Sequence, residues 1–153
     1  MTTSIVIIVF GLLGSAFISA TEAAVLDASR YRIEHRGEEG DKRAALVVSI
    51  FEQYEKFFGT ILLVGNLFNV IVASVGTTLA ISTIGGGEPT ALSAIAATAI
   101  ATVAIVIIGE LTPKTLAVVA AERWALTTAR IVLILMTVTW PVVFAFTLVP
   151  RGI

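Results

Sequence analysis

Two acidic side chains, Glu22 and Glu110, lie inside long apolar runs of the sequence. A carboxylate at the centre of a bilayer costs about 2.5–3.5 kcal/mol on membrane-insertion scales. The apolar runs contain no basic residue that could pair with either side chain. Because a bound cation is the simplest compensation, both residues are candidate metal ligands.

Glu110 precedes Pro113 at a spacing that affects the backbone. Proline offers no N–H to the carbonyl four residues back, here that of Gly109, and its ring pushes that carbonyl aside. We therefore expect the helix to break and to leave the Gly109 carbonyl free beside the Glu110 carboxylate. Free backbone at membrane depth must be buried in protein or line a polar cavity. The alternative is a helix that ends at the interface, with Glu110 in water.

Hydroxyl and amide side chains occur at helical spacing in the two preceding apolar runs. Ser15, Ser19 and Glu22 follow i, i+4 and i+7, which places them along one helical stripe. Asn66 and Asn69 follow i and i+3 in the next run. Hydrogen bonds within or between helices would account for these residues, and so would oxygen ligands that complete a coordination shell.

Together these groups form a candidate site made of oxygen atoms only. Such a shell suits Mg²⁺, Ca²⁺ or Na⁺. Thiolate sites are excluded because the chain has no cysteine, and its one histidine, His35, lies in the most polar segment. The sequence has no nucleophile–His–acid set and no phosphate-binding loop, so we do not expect an enzyme. The candidate metal ligands are Ser15, Ser19, Glu22, Asn66, Asn69, Gly109 and Glu110.

The elements that position these residues must lie in a membrane. Hydrophobic residues make up 57% of the 153 residues and charged residues 14%, whereas a soluble domain needs about a quarter charged. We predict an all-α membrane protein with three transmembrane helices at about 4–27, 57–84 and 90–112. Cytoplasmic juxtamembrane helices are expected at about 28–56, as a pair joined by a turn, and at about 115–150. Residues 131–149 could instead form a fourth span, although Pro141 and Trp140 favour an interfacial or re-entrant helix.

The basic residues predict the orientation in the cell membrane. All ten Lys and Arg lie within 27–56 or after Pro113, and such residues concentrate on the cytoplasmic side. The N-terminus and the Gly85–Pro89 turn should therefore face outside, and the C-terminus the cytoplasm. Acidic residues interleave the basic ones between Arg30 and Arg43, which favours a solvated cytoplasmic face over a nucleic-acid site, so no nucleic-acid partner is expected.

Three stretches resemble the transmembrane domain of the cyclin M/CorC family of magnesium transporters. They are Phe17-Ile18-Ser19-Ala20-Thr21-Glu22-Ala23-Ala24 with Arg30 and Arg32, then Gly65-Asn66 with Asn69, then Gly109-Glu110-Leu111-Thr112-Pro113-Lys114. The last, similar to Gly-Glu-x-x-Pro-Lys, is the most specific. Asn69 comes one residue earlier than the family's second asparagine.

The resemblance implies a homodimer of three-span subunits that transports Mg²⁺ as its substrate. Na⁺ is a second candidate ion for the oxygen shell, and the sequence leaves coupling to Na⁺ open. It implies ion ligands at Ser19, at Asn66 or Asn69, and at Gly109 and Glu110. Membrane lipid surrounds such a domain, and cytoplasmic CBS domains that bind ATP–Mg²⁺ follow it in the full-length protein. The present sequence lacks those domains. A membrane anchor or Mg²⁺ sensor that regulates another transporter is the alternative function.

Overall fold

The apolar runs form long helices in a computed structural model that describes residues 1–84 and 90–148. All the secondary structure within those ranges is helical. The helices are α1 (Thr2–Asp27), α2 (Arg30–Glu38), α3 (Lys42–Glu52), α4 (Tyr54–Ile84), α5 (Ala91–Ala104), a π-helical segment (Ile105–Leu111), α6 (Thr112–Val119) and α7 (Ala121–Leu148). The Gly85–Pro89 turn predicted above lies outside the described residues.

Four helical stretches of the described chain are long and apolar enough to cross a membrane. They are Thr2–Asp27, Tyr54–Thr83, Ala91–Val119 and Ala121–Ala145. The first three overlap the predicted ranges 4–27, 57–84 and 90–112, although the third continues to Val119. The fourth contains the ambiguous residues 131–149, so length and composition alone do not separate a three-span from a four-span protein.

The predicted break at Pro113 is wrong. Helical structure continues from Ala91 to Val119, with a π-helical segment over Ile105–Leu111. At its end the Thr112 N–H donates to the Ile107 carbonyl, five residues back. Pro113 directly follows this π turn, so the N–H that it lacks is missing where the bonding already departs from the α-helical pattern. The wider π turn, rather than a broken helix, is the backbone irregularity beside Glu110.

The chain divides into two compact units, and α1 and α4 contribute residues to both. The first unit comprises Met1–Ser19 and Val64–Pro113. Within it, α1 and α4 approach closely, since a Cβ built on Gly14 would lie 2.5 Å from the Phe68 ring. A glycine at the contact lets the two helices approach closely, which favours helix association in lipid.

The second unit comprises Ala20–Leu63 and Lys114–Ile153. Its α2 and α3 form the expected pair of short helices, and the turn between them includes Gly40 with a φ of 97°, a conformation that favours glycine. Asp41 caps α3 by accepting from the backbone N–H groups of Arg43 and Ala44 at 2.9 and 3.3 Å. A small-residue core joins the last turns of α1 to α6 and α7, and consists of Ala20, Ala23, Ala24, Ala117 and Ala121.

Candidate ion-binding site

Asn69 of α4 connects α1 to the π-helical segment within the first unit. Its side-chain oxygen Oδ1 accepts a hydrogen bond from the Ser15 hydroxyl at 2.8 Å. Its amide nitrogen Nδ2 donates to the Glu110 carboxylate oxygen Oε1 at 2.9 Å. Three helical segments therefore meet at one polar cluster, which we call the Asn69 cluster: Ser15, Asn69, Gly109 and Glu110.

The Gly109 carbonyl belongs to the same cluster. Ser15 Oγ lies 3.4 Å from this oxygen, within reach of a weak hydrogen bond. Both Ser15 and Gly109 are buried. The normal α-helical donor to this carbonyl would be the backbone N–H of residue 113, which proline lacks. The backbone around this carbonyl is π-helical rather than broken, and its role as an ion ligand stays a prediction.

Because Gly109 has no side chain, Ser15 of α1 can lie close to the backbone of the π-helical segment. A Cβ built at position 109 would lie 3.0 Å from Ser15 Oγ and 3.4 Å from Ser15 Cβ. Such a contact is tighter than ordinary van der Waals packing, so a larger residue would displace the hydroxyl. Glycine at this position therefore sets the separation between α1 and the π-helical segment.

The Asn69 cluster combines one carboxylate with neutral oxygen atoms. Glu110 is partly exposed, and the described residues include no group of three or more His, Cys, Asp or Glu side chains that could hold a metal. Mg²⁺ retains several waters when a protein supplies only one or two carboxylates. The arrangement suits a cation that binds partly hydrated, with Ser15, Asn69 and the Gly109 carbonyl as neutral oxygen donors.

The other candidates in the first unit occupy different environments. Ser19 lies one helical turn from Ser15 and is buried, with 8% of its surface exposed. Asn66 lies about one turn from Asn69 on α4, but its side chain is exposed. Of the two asparagines, the structure brings only Asn69 into hydrogen-bonding contact with Glu110.

Glu22 does not share this environment, because it belongs to the second unit. There the Lys114 ammonium lies 2.8 Å from its carboxylate. The prediction that Glu22 has no basic partner is therefore wrong. Lys114 lies beyond the apolar run in the sequence, but α6 continues the helix past Pro113 and places the ammonium beside Glu22. The ion pair balances Glu22 without a metal.

Two further polar contacts of the second unit were not predicted from the sequence. Trp124 Nε1 donates to Thr21 Oγ1 at 3.3 Å, and the hydroxyls of Thr60 and Thr139 lie 2.8 Å apart. Threonines in apolar helices commonly bond their own backbone, so spacing alone gives no signal that these four residues pair across helices.

Comparison with known proteins agrees with the resemblance noted above. The family model described as the cyclin M transmembrane N-terminal domain matches residues 6–153. The chain belongs to this family. The cyclin M match covers all the candidate ligands, and with the apolar helices it indicates a multi-pass membrane protein.

Two curated bacterial relatives are similar over shorter segments. The UPF0053 inner membrane protein YfjD of Escherichia coli (strain K12) is 27% identical over 63 residues, which is 41% of this chain and 15% of the relative. A UPF0053 protein of Haemophilus influenzae is 27% identical over 79 residues, which is 52% of this chain and 19% of the relative. The matched part of this cyclin M domain thus spans less than a fifth of either relative.

Proposed function

We propose that this chain is the membrane domain of a Mg²⁺ transporter and that the Asn69 cluster is its ion pathway. The cyclin M family is generally linked to Mg²⁺ transport. The observation that carries the proposal is the convergence of Ser15, Asn69, the Gly109 carbonyl and Glu110 in one unit. A partly exposed carboxylate supplies the charge, and neutral oxygens supply the rest of an oxygen shell.

The hydrogen bonds of the Asn69 cluster indicate how it would accept a cation. Asn69 Oδ1, the Gly109 carbonyl and the Glu110 carboxylate each retain lone pairs that an ion could use. Ser15 can rotate its hydroxyl hydrogen away and present its own lone pairs. Ser19, one turn along α1, extends the pathway. Asn66 would take part only if α4 turned its exposed side chain toward the ion.

We further propose that α1, α4 and the Ala91–Val119 stretch are the only spans, and that α7 lies along the cytoplasmic surface. The support comes from contacts within the second unit. Near its start α7 reaches Thr21 through Trp124, and further along it reaches Thr60 through Thr139. Thr21 lies about 9 Å before the end of α1 and Thr60 about 9 Å after the start of α4. In the proposed topology these two helix ends meet the same membrane surface, so the two threonines have similar depths.

The two contacts of α7 are separated by about 22 Å along its axis. A helix that joins two points of equal depth over that distance runs parallel to the membrane surface rather than across it. Arg130 points to the same placement, because it is exposed near the middle of α7. In a fourth span this charge would face the bilayer interior at a cost of about 2.5–3.5 kcal/mol.

A flux measurement tests the transport function. Purified chain in proteoliposomes loaded with a Mg²⁺-sensitive dye should admit Mg²⁺, and Glu110→Gln should reduce the initial rate about tenfold or more. Glu38→Gln removes the same charge from an exposed site in the second unit and should leave the rate unchanged. Parallel assays with Ca²⁺ and Na⁺ gradients test the choice and coupling of ions.

The alternative, a membrane anchor or Mg²⁺ sensor, predicts a different pair of results. Wild type would then bind Mg²⁺ in calorimetry, Glu110→Gln would lose that binding, and neither would show flux. Flux that is equal in wild type and Glu110→Gln would contradict the assignment of the Asn69 cluster. The proposal includes assembly of the chain as a homodimer, which native mass spectrometry of the same preparation tests.

Cysteine labelling tests the placement of α7, since the chain has no cysteine of its own. Arg130→Cys should react with a membrane-impermeant maleimide from the same side as Glu38→Cys. Val70→Cys, at an exposed apolar position in α4, should remain unlabelled. If Arg130→Cys were as protected as Val70→Cys while Glu38→Cys reacted, α7 would be a fourth span.

A further inference from the structure

The second unit contains an open cavity of about 610 Å³ beside the ends of α1 and α6. Residues of α2, α3 and α7 complete its wall. Four arginines line it, Arg32, Arg36, Arg43 and Arg123, together with Asp27, Asp41 and Glu122. It shares no residue with the Asn69 cluster, so transport chemistry does not explain it.

Two of the four arginines are committed to carboxylates on the cavity wall. Arg32 lies 2.6 Å from Glu122, and Arg36 lies 2.8 Å from Asp41. The guanidinium beside Asp41 is the main cause that holds the pKa of that carboxyl below its ordinary value. The two ion pairs therefore hold two of the four guanidinium groups against the cavity wall.

Arg43 and Arg123 are the other two, and both are exposed. The ion pairs found among the described residues do not include either of them. Arginine presents a planar fork of donors that matches phosphate oxygens, and it is favoured where phosphate is bound. The cavity thus offers two available guanidinium groups, opposed by the exposed Asp27.

Apolar side chains lie on the same cavity wall. Val118 and Val119 of α6 are 45% and 85% exposed, and Leu126 of α7 is a further lining residue. Exposed valine next to exposed arginine is unfavourable for a wall that faces only water. The combination suits a ligand with an anionic head and an apolar tail.

We propose that this cavity binds the headgroup of an acidic phospholipid, with its phosphate at Arg43 and Arg123 and its acyl chains along Val118 and Val119. Basic pockets beside membrane helices on the cytoplasmic side recognise anionic headgroups. The occupant is a lipid rather than a free phosphate compound, because a soluble anion would leave the valines exposed. The inference does not depend on which ion is transported.

Native mass spectrometry on the full chain tests the proposal. Delipidated protein is titrated with short-chain phosphatidylglycerol or with phosphatidylcholine of the same chain length. We expect a preference of about tenfold or more for phosphatidylglycerol, which Arg43→Gln/Arg123→Gln abolishes. The double variant Arg30→Gln/Arg130→Gln removes the same charge outside the cavity and should keep the preference within about twofold. Circular dichroism confirms that both variants remain folded.

Three outcomes would overturn the proposal. The first is equal binding of the two lipids to wild type. The second is an equal loss of preference in both double variants, which would show a general attraction between charges. The third is competition by glycerol phosphate at the concentration at which the lipid binds, which would identify a site for soluble phosphate compounds.

Discussion

The amide nitrogen of Asn69 donates to the Glu110 carboxylate over 2.9 Å, while the oxygen of the same side chain accepts from Ser15. One asparagine thus orients a carboxylate on the π-helical segment and a hydroxyl on α1. Asn66, on the same helix, makes neither contact and is exposed. The two asparagines therefore form a matched pair for experiment.

Asn69→Leu should reduce Mg²⁺ flux about tenfold or more. Leucine has a similar volume but cannot hydrogen-bond, so Ser15 and Glu110 lose their partner, at a cost of about 1–3 kcal/mol for each group left unsatisfied. Asn66→Leu should change the flux by less than about threefold. Initial rates in proteoliposomes measure both. A greater loss in Asn66→Leu would mean that Asn66 is the ion ligand.

Gly109→Ala should lower both stability and transport. The added Cβ would lie 3.0 Å from Ser15 Oγ, and overpacking of this kind costs about 1–3 kcal/mol. A fall of several degrees in Tm in detergent would report the strain. Adding Ser15→Ala removes the hydroxyl and should recover part of the Tm while transport stays low. No recovery in the double variant would place the strain elsewhere.

Pro113→Ala should reduce flux without lowering helicity. Alanine supplies an N–H to the Gly109 carbonyl and allows α-helical bonding to replace the π-helical pattern over Ile105–Leu111. The carbonyl would then be less available to an ion. Calorimetric Mg²⁺ affinity and flux should fall together. Pro141→Ala in α7 is the control, and normal transport is expected from it. Unchanged Mg²⁺ binding in Pro113→Ala would show that this carbonyl is not a ligand.

The sequence predicted the helices well because membrane insertion depends on length and apolar composition. The runs that became α1, α4 and Ala91–Val119 needed no tertiary information. The π-helical segment could not be predicted in this way. Proline predicts that a carbonyl loses its α-helical donor, but it does not distinguish a broken helix from a π turn. That distinction involves tertiary packing, and here Gly109 packs against Ser15.

Two residues of the candidate site show where spacing stops being informative. The stripe of Ser15, Ser19 and Glu22 is a correct description of one helix face, yet Glu22 lies in a different compact unit and pairs with Lys114. Asn66 and Asn69 likewise have the same side chain, and their spacing of three residues places them on nearly the same face of α4. Only the packing of α4 separates the exposed side chain from the hydrogen-bonded one.

Acid should loosen the turn between α2 and α3. The Arg36 side chain and two backbone N–H groups lower the pKa of Asp41. A carboxyl with a depressed folded pKa contributes stability above its ordinary pKa of about 3.9, and this is lost as pH falls through the folded value. The protection of backbone amides in the first turn of α3 against hydrogen exchange, relative to the intrinsic exchange rate at each pH, should decrease below about pH 4. Asp41→Asn should show lower protection already at pH 7, with little further change in acid. A strong acid response in that variant would point to another group.

The ion pair between Glu22 and Lys114 should behave as a coupled unit in stability. Lys114 is 42% exposed and Glu22 20% exposed by side chain, so Lys114→Met leaves a mostly buried carboxylate without its partner. We expect this variant to lose about 1–3 kcal/mol of unfolding free energy, below the cost at fully buried pairs. Glu22→Gln in the same background removes the stranded charge and should restore most of the loss.

A double-mutant cycle from denaturant unfolding in detergent gives the coupling energy between Glu22 and Lys114. Additive losses would mean that the two charges do not interact in the folded protein. Mg²⁺ flux retained in Glu22→Gln but lost in Glu110→Gln would then separate the acid that holds the second unit together from the acid that binds the ion.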